Sequence, residues 1–240
     1  MSVRRDVMPP GRARGRTIVV GVIAIAALIG AVVWVWGPAS AASPPRTTTH
    51  DLVAGTVELS VDIGDVELVA GGDDRVEIVS RLTWFRTDLE PIESRHGDTL
   101  RIEQPDCGAI CRIDYTVRIP AGTAVVVTVG TGDVVSTGVT GDQRLRTGLG
   151  DVIVRDASGT VDVHGDVGDV AVDCATPPDE VTAETSLGDV TVTVPADAGG
   201  YRVAADTGMG DTLIDVETST SDDRSIEAHG SVGDVTVARR

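Results

Sequence analysis

The stretch LGDVIV at residues 149–154 recurs with small changes through the second half of the chain, and this recurrence decides the fold. The related copies are VGDVAV from 167, LGDVTV from 187, MGDTLI from 209 and VGDVTV from 232, with looser copies around Gly64 and Gly132. The glycines of the five close copies lie 18 to 23 residues apart. Self-similarity at this period is typical of repeat proteins, in which each short unit stacks on its neighbours.

Apolar residues alternate with polar ones on both sides of each Gly-Asp pair. Val163 and Val167 precede Gly168, for example, and Val170 and Val172 follow it. A period of two indicates two short strands, each with one buried face, that meet at a corner. One unit cannot bury that face alone, so we expect each copy to lie about 4.8 Å above its predecessor.

The sequence therefore predicts an all-β fold, a parallel β-solenoid with rungs of about 18–23 residues behind one N-terminal transmembrane helix. An antiparallel β-sandwich is the alternative, because alternation alone does not separate stacked rungs from hairpins. The fixed register of the copies favours stacking. Arg239 and Arg240 end the last copy, where they could charge the open edge of the stack.

The Gly-Asp pair has a structural explanation at each corner. Glycine adopts positive φ at no steric cost, and aspartate can accept a hydrogen bond from a backbone N–H one or two residues further on. The seven glycines predicted to form these turns are Gly64, Gly132, Gly150, Gly168, Gly188, Gly210 and Gly233.

A cation-binding column is the other interpretation of the aspartates. Carboxylates about 5 Å apart repel by roughly 0.8 kcal/mol in water, and one local hydrogen bond returns roughly 1 kcal/mol, so the turn role requires no metal. The nonapeptide spacing of calcium-binding β-rolls is also missing. The residues of this column are Asp151, Asp169, Asp189, Asp211 and Asp234.

Residues 17–36 carry no charge (TIVVGVIAIAALIGAVVWVW), and 20 residues of helix span about 30 Å, enough to cross a bilayer. The basic tail of residues 1–16 predicts a cytoplasmic N-terminus by the positive-inside rule. The small residues at 39–41 leave a cleaved signal peptide as the alternative. We expect a single-pass membrane protein with a short linker at residues 37–50 and an extracellular β-repeat domain at residues 51–240, or a secreted domain if the signal is cleaved.

The three cysteines have different surroundings. Cys107 and Cys111 flank a three-residue loop, and in an exported protein this spacing favours a local disulfide worth about 2 kcal/mol. Cys174 occupies a position that suits a small apolar residue, so we expect it to be buried and free. Trp84 continues the apolar face of a strand and is predicted to lie in the core.

Composition limits the partners. Without residues 1–36, the chain keeps 15 basic and 36 acidic residues. Such a surface repels nucleic acid and anionic lipid. We therefore expect contact with the bilayer only through residues 17–36, no nucleic-acid partner and no cofactor.

The segment IDYTVRIPAG at residues 113–122, the successive GDV turns and the stretch at residues 175–197 together resemble the "putative adhesin" family of bacterial β-strand-repeat proteins. The resemblance covers residues 51–240. It implies a β-solenoid-like domain on the cell exterior, and it brings no catalytic residues.

Three functions fit these features to different degrees. A non-enzymatic adhesion, binding or scaffold module, with an envelope protein or glycan as partner, agrees with repeated rungs and no singular polar cluster. An envelope sensor would need a separate cytoplasmic partner. A polysaccharide-acting enzyme would need acidic side chains gathered at one place on the surface. Two rungs are expected between His164 and His229, which would place them roughly 14 Å apart. This distance is too long for joint catalysis or for binding one metal ion.

Overall fold

Residues 44–52, 55–72, 74–83, 90–106, 111–196 and 199–240 are described by a computed structural model. These residues form β-strands joined by short turns, with no helix among them. In chain order the strands are β1 (Arg46–Asp51), β2 (Thr56–Ile63), β3 (Val66–Ala70), β4 (Arg75–Thr83), β5 (Ile92–His96), β6 (Thr99–Glu103), β7 (Arg112–Ile119), β8 (Ala124–Thr131), β9 (Val134–Thr137), β10 (Gln143–Leu149), β11 (Val152–Ala157), β12 (Val161–Val167), β13 (Val170–Cys174), β14 (Glu180–Leu187), β15 (Val190–Val194), β16 (Arg202–Met209), β17 (Thr212–Asp215), β18 (Ser225–Val232) and β19 (Val235–Arg239).

The strands form two mixed sheets in which most neighbours are parallel. One sheet has the order β16-β18-β14-β12-β10-β8-β2-β6-β5, and the other has the order β1-β4-β7-β3-β9-β11-β13-β15-β19-β17. Each repeat contributes one strand to each sheet, because the chain crosses from the first sheet to the second at its Gly-Asp corner. We call such a pair of strands a rung and name it by its corner glycine.

Equivalent residues of neighbouring rungs lie side by side. Val152 is in register with Val170, and Val170 with Val190, and all of these pairings are parallel. Their side chains are buried between the two sheets. The expected stacking of the repeats is therefore present, and each rung covers the inward face of the next.

The core is thin and consists mainly of valine. Small β-branched side chains fit a narrow space between sheets and favour extended backbone. Most of the larger buried side chains, among them Tyr115, Leu100 and Ile102, belong to the strands near the start of the domain, whereas Tyr201 and Ile226 lie near the other end.

The last rung in the chain is not the last rung in the stack. Strands β18 and β19 pair with β14 and β15 on one side and with β16 and β17 on the other. The Gly233 rung thus lies between the Gly188 and Gly210 rungs, and the expectation that every copy lies above its predecessor is wrong at this point. The Gly210 rung forms the edge.

This order also corrects the expected position of the C-terminal arginines. Arg240 turns back from the edge, and its guanidinium donates to the carboxylate of Asp173 at 2.9 Å and to the carbonyl of Cys174 at 2.7 Å. Arg239 pairs with Asp215 at 3.3 Å, across the two outermost strands of its sheet. Because β19 has neighbours on both sides, its arginines do not charge an open edge.

Antiparallel pairs occur only near the start of the described domain. They join β1 to β4, β4 to β7, and β5 to β6. The alternative of an antiparallel β-sandwich is therefore wrong, because the repeat strands pair in parallel. Strand β1 also includes residues 46–50, which the sequence assigned to a linker, so the strand region begins earlier than predicted.

Some predictions fall on residues outside those the structure describes. They are the membrane span at residues 17–36, the core position of Trp84, and Cys107 with its pairing to Cys111. Within the described residues, no helix has the length and apolarity that a bilayer crossing requires. The Cys107–Cys111 disulfide stays a prediction, and Cys111 itself is fully buried.

Candidate functional site: the Gly-Asp corner

The corner glycines leave no room for a side chain. Gly168 has φ +140°, and a Cβ at this position would lie 2.1 Å from the carbonyl oxygen of Gly150. Non-glycine residues rarely adopt such backbone angles. All seven predicted turn glycines have positive φ, and each stacks closely on the backbone of a neighbouring rung.

The aspartate after each corner glycine joins two rungs. The N–H of Asp169 donates to Oδ1 of Asp151 at 2.9 Å, and the N–H of Asp189 donates to Oδ1 of Asp169 at 2.9 Å. The same bond continues through the stack, and we call the whole set the aspartate ladder. Its members in spatial order are Asp114, Asp65, Asp133, Asp151, Asp169, Asp189, Asp234 and Asp211.

These bonds correct the sequence interpretation of the aspartates. The turn role predicted a hydrogen bond to a backbone N–H one or two residues further on, but the donors lie 18 to 68 residues away in sequence. The amide after the corner glycine points along the stack, where the carboxylate of the adjacent rung is the acceptor. These aspartates therefore stabilise the stacking of rungs.

Among the described residues, cationic side chains pair with the aspartate ladder only at one end. Arg112 contacts Oδ2 of Asp65 and donates from Nε to Oδ1 of Asp114 at 2.8 Å. Within the described residues, the other six ladder aspartates make no ion pair. No set of three His, Cys, Asp or Glu side chains in this part of the chain has an arrangement that could hold a metal ion. Calcium binding by the column thus stays a prediction.

A row of threonine and glycine lies three residues before the corner glycines of the five close copies. The hydroxyl of Thr147 donates to the carbonyl of Gly132 at 3.0 Å, and that of Thr185 donates to the carbonyl of Gly168 at 2.9 Å. In spatial order the row alternates as Thr147, Gly165, Thr185, Gly230 and Thr207.

This alternation is visible in the sequence and indicates the stacking order of the last two rungs. In chain order the row is Thr, Gly, Thr, Thr, Gly, and it alternates regularly only if the last two rungs exchange places. Each threonine then lies beside a glycine, which leaves space for its methyl group. The Thr207 hydroxyl accordingly donates to the Gly233 carbonyl at 2.8 Å.

Four apolar residues immediately before corner glycines are exposed, and Val232 at the equivalent position is half-buried. The sequence placed them on the buried face, but Leu149, Val167, Leu187 and Met209 keep 51%, 40%, 49% and 66% of their surface accessible. The chain leaves the first sheet at the corner, so the alternation that buries the preceding residues ends there. Together with Val232, these residues lie on five adjacent strands, and we call the five the corner stripe.

The outer face of the first sheet holds a row of charged residues. His164, Glu184, His229 and Asp206 are neighbours in register. Nδ1 of His164 lies 3.3 Å from Glu184, and Nδ1 of His229 lies 2.7 Å from Asp206. One rung separates the two histidines, rather than the two that chain order implied, so each histidine forms its own pair with a carboxylate.

The interior holds a buried thiol that the corner does not use. Cys174 is a buried free cysteine, as predicted. Burial raises the pKa of its thiol to about 12, and the nearby Asp173 carboxylate acts in the same direction. A thiol protonated at neutral pH is a poor nucleophile, so Cys174 serves as a core residue.

The chain is similar in sequence to one protein family and in fold to several solved structures. The family model described as Toastrack DUF4097 matches residues 51–238. A solved "putative cell adhesion protein" from Clostridium sporogenes is similar over 82% of this chain and 100% of its own, with 14% identity and a TM-score of 0.50. A solved "putative adhesin" from Bacteroides fragilis covers 82% of this chain and 97% of its own, at 14% identity and a TM-score of 0.45. No curated protein matches the chain.

Proposed function

The chain belongs to the Toastrack DUF4097 family, and from this membership we propose that it is a β-solenoid binding module of the cell surface without enzymatic activity. Residues 17–36 hold it in the membrane, and the β-repeat domain lies outside the cell. Its partner is another component of the envelope, a protein or a glycan, and the module acts by adhesion or as a scaffold.

The corner stripe is the observation that carries this proposal. Soluble proteins seldom expose several large apolar side chains in a continuous row unless the row is an interaction site. Here the row runs across five consecutive strands, and four of its five side chains are exposed, with Val232 half-buried among them. A regular, extended and exposed surface of this kind suits recognition of a macromolecule better than a small molecule.

The repetition of the acidic residues supports a non-enzymatic role. A glycoside-cleaving site needs two carboxylates with different protonation at one place. All ladder aspartates except the terminal Asp211 instead repeat one role, since each accepts a backbone N–H from the neighbouring strand of the stack. The same contact recurs along the stack, so it does not set one carboxylate apart as the acid and another as the base.

Attachment of cells that display the full chain tests the proposed function. Surfaces are coated with envelope fractions from the same cells, and attached cells are counted for the wild type and for a Leu149→Ser/Leu187→Ser variant. We expect the variant to lose most attachment, because burial of each leucine contributes about 1.5–3 kcal/mol. Ile92→Ser is the matched control, since Ile92 is equally exposed but lies at the other end of the stack.

Equal attachment by all three proteins, at equal display, would refute the binding role of the corner.

The membrane anchor needs its own measurement. An epitope at the N-terminus should stay with the membrane fraction after alkaline washing if residues 17–36 form a signal anchor, and it should be separated from the domain if the segment is a cleaved signal peptide.

A further inference from the structure

We propose that the corner stripe binds a cationic amphipathic segment of a partner protein, with apolar side chains on the stripe and arginine or lysine on the aspartate ladder beside it. This inference rests on the proposed binding function and names the chemistry of the partner. The stripe supplies the apolar contact, and the ladder sets the charge.

Exposed apolar side chains are concentrated at the corner. Among the described residues, the exposed large apolar side chains are those of Leu149, Val167, Leu187 and Met209 in the stripe, Leu213 and Ile214 on the adjacent edge strand β17, and Ile92. Six of these seven therefore belong to one end or corner of the molecule. Five strands about 4.8 Å apart give the stripe a length of about 19 Å, which a helix of about 13 residues would cover.

The ladder restricts the charge of the occupant. Asp151 and Asp169 follow the stripe residues Leu149 and Val167 by two positions, so each exposed apolar side chain has a carboxylate close to it. Several carboxylates elsewhere on the stack have cationic partners, for example Asp162 with Arg144 at 2.7 Å. A second copy of this acidic chain would place like charges against the ladder, and an anionic lipid surface would do the same.

Arg112 shows how a cation binds this ladder. Its guanidinium bridges the carboxylates of Asp114 and Asp65 on neighbouring strands. Oδ1 of Asp65 still accepts the N–H of Asp133 at 3.0 Å, so the rung-to-rung bond survives while Oδ2 binds arginine. Oδ1 makes the same backbone bond in the next five ladder aspartates, Asp133, Asp151, Asp169, Asp189 and Asp234. Their Oδ2 can receive an arginine from a partner in the same way.

Binding of a synthetic peptide to the purified full-length chain tests the inference. The probe is a 16-residue amphipathic helix with arginine along one side and leucine along the other, measured by fluorescence anisotropy at low and high salt. We expect saturable binding that weakens by about tenfold or more between 50 mM and 500 mM NaCl, because salt screens exposed charges. Peptides with glutamate for arginine, or serine for leucine, should bind at least about tenfold more weakly.

Protein variants locate the site. Asp151→Asn/Asp169→Asn/Asp189→Asn keeps an oxygen acceptor for each backbone N–H but removes three charges, and we expect about a tenfold loss of affinity. Leu149→Ser/Leu187→Ser should cause a similar loss.

The controls are Ile92→Ser and Asp142→Asn. Asp142 also accepts a backbone N–H of the next rung, from Thr160 at 3.1 Å, but it lies outside the ladder. Circular dichroism confirms that each variant is folded.

Three results would overturn the inference: absence of saturable binding, equal losses in the control variants, or equal binding of the glutamate peptide. Complete displacement of the peptide by millimolar calcium with retention of affinity in the leucine variant would also overturn it, since the corner would then be a cation site. Failure of peptide binding while cell attachment still depends on Leu149 and Leu187 would refute the cationic partner and leave the proposed function in place.

Discussion

Glycine and aspartate contribute separately to each corner, so substitutions can distinguish their effects. The glycine is required because a Cβ would collide with the backbone of the neighbouring rung. The aspartate contributes an acceptor along the stack. Neither contribution needs a bound ion, because both come from contacts within the chain.

Gly168→Ala should destabilise the domain by about 3 kcal/mol or more, since the new Cβ would lie 2.1 Å from a carbonyl oxygen at a backbone angle that alanine rarely adopts. Urea denaturation followed by circular dichroism measures the loss. Gly72→Ala is the control, because no atom lies within 4 Å of the position that its Cβ would take. A similar stability for both variants would contradict the close stacking of the corners.

Asp169→Ala should cost about 1–2 kcal/mol, because it leaves the N–H of Asp189 without its acceptor. Asp169→Asn keeps the oxygen and removes one of the repelling charges, so we expect its stability to match or exceed that of the wild type. Thermal unfolding with and without calcium compares the three proteins. If calcium raised the midpoint of the wild type but not of Asp169→Asn, the ladder would be a cation site.

Cys174 provides a prediction about pH. Its folded-state pKa is raised by burial to about 12 from an ordinary value near 9, so the folded protein keeps a proton that the unfolded chain loses. This thiol therefore lowers the free energy of unfolding as pH rises from about 9 towards 12 and has no effect below that range. Cys174→Ala should flatten this part of the stability curve, and iodoacetamide at pH 8 should label Cys174 only after unfolding.

At the scale of the rung, position in the stack determines stability more than position in the chain. The Gly233 rung comes last in sequence, but its strands have neighbours on both sides. The Gly210 rung precedes it and forms the edge, where Val203 is only partly buried. The alternation of threonine and glycine in the Thr/Gly row agrees with a Gly233 rung that lies between the Gly188 and Gly210 rungs.

Val237→Ala should therefore cost about 2 kcal/mol, as expected for a fully buried residue, although it lies in the last strand of the chain. Val203→Ala removes the same two methyl groups from the edge rung and should cost less than half as much. Urea denaturation of the two variants compares the positions directly. The reverse order of losses would indicate that the rungs stack in chain order.

At the scale of the whole molecule, the two ends of the stack differ. At the start, side chains of β1 and β5 meet from the two sheets, with Nε2 of His50 at 2.7 Å from Glu93 and the hydroxyl of Thr48 donating to the same carboxylate at 2.7 Å. At the other end, the Gly210 rung exposes Leu213 and Ile214. Polar contacts thus close one end, and an apolar edge remains at the other.

Charge acts on the whole molecule through the ladder. The formal net charge is −17, and the unpaired ladder carboxylates repel one another. Raising NaCl from 50 mM to 500 mM should increase the melting temperature by about 3 °C, because screening weakens this repulsion. The Asp151→Asn/Asp169→Asn/Asp189→Asn variant should respond less to salt, whereas Asp142→Asn should respond like the wild type. A melting temperature that falls with salt in the wild type would contradict the argument.

The sequence by itself determined the all-β character and the corner glycines, and it favoured parallel stacking over hairpins, because these follow from local patterns: alternation of period two, Gly-Asp at fixed register, and repetition. It also placed Cys174 in the core, since the position belongs to the alternating buried face. These features depend on neighbours in sequence or on the equivalence of the copies.

Only the tertiary structure decided the exchange of the last two rungs, the partner of each aspartate, and the exposure of the corner stripe. Each depends on which rungs are neighbours in space, and copies that share one strand pattern can stack in more than one order. The aspartate ladder is the clearest case, because a carboxylate that can bond within its own turn instead accepts the N–H of another rung. The pattern of one rung cannot reveal this bond, since its donor belongs to a different part of the chain.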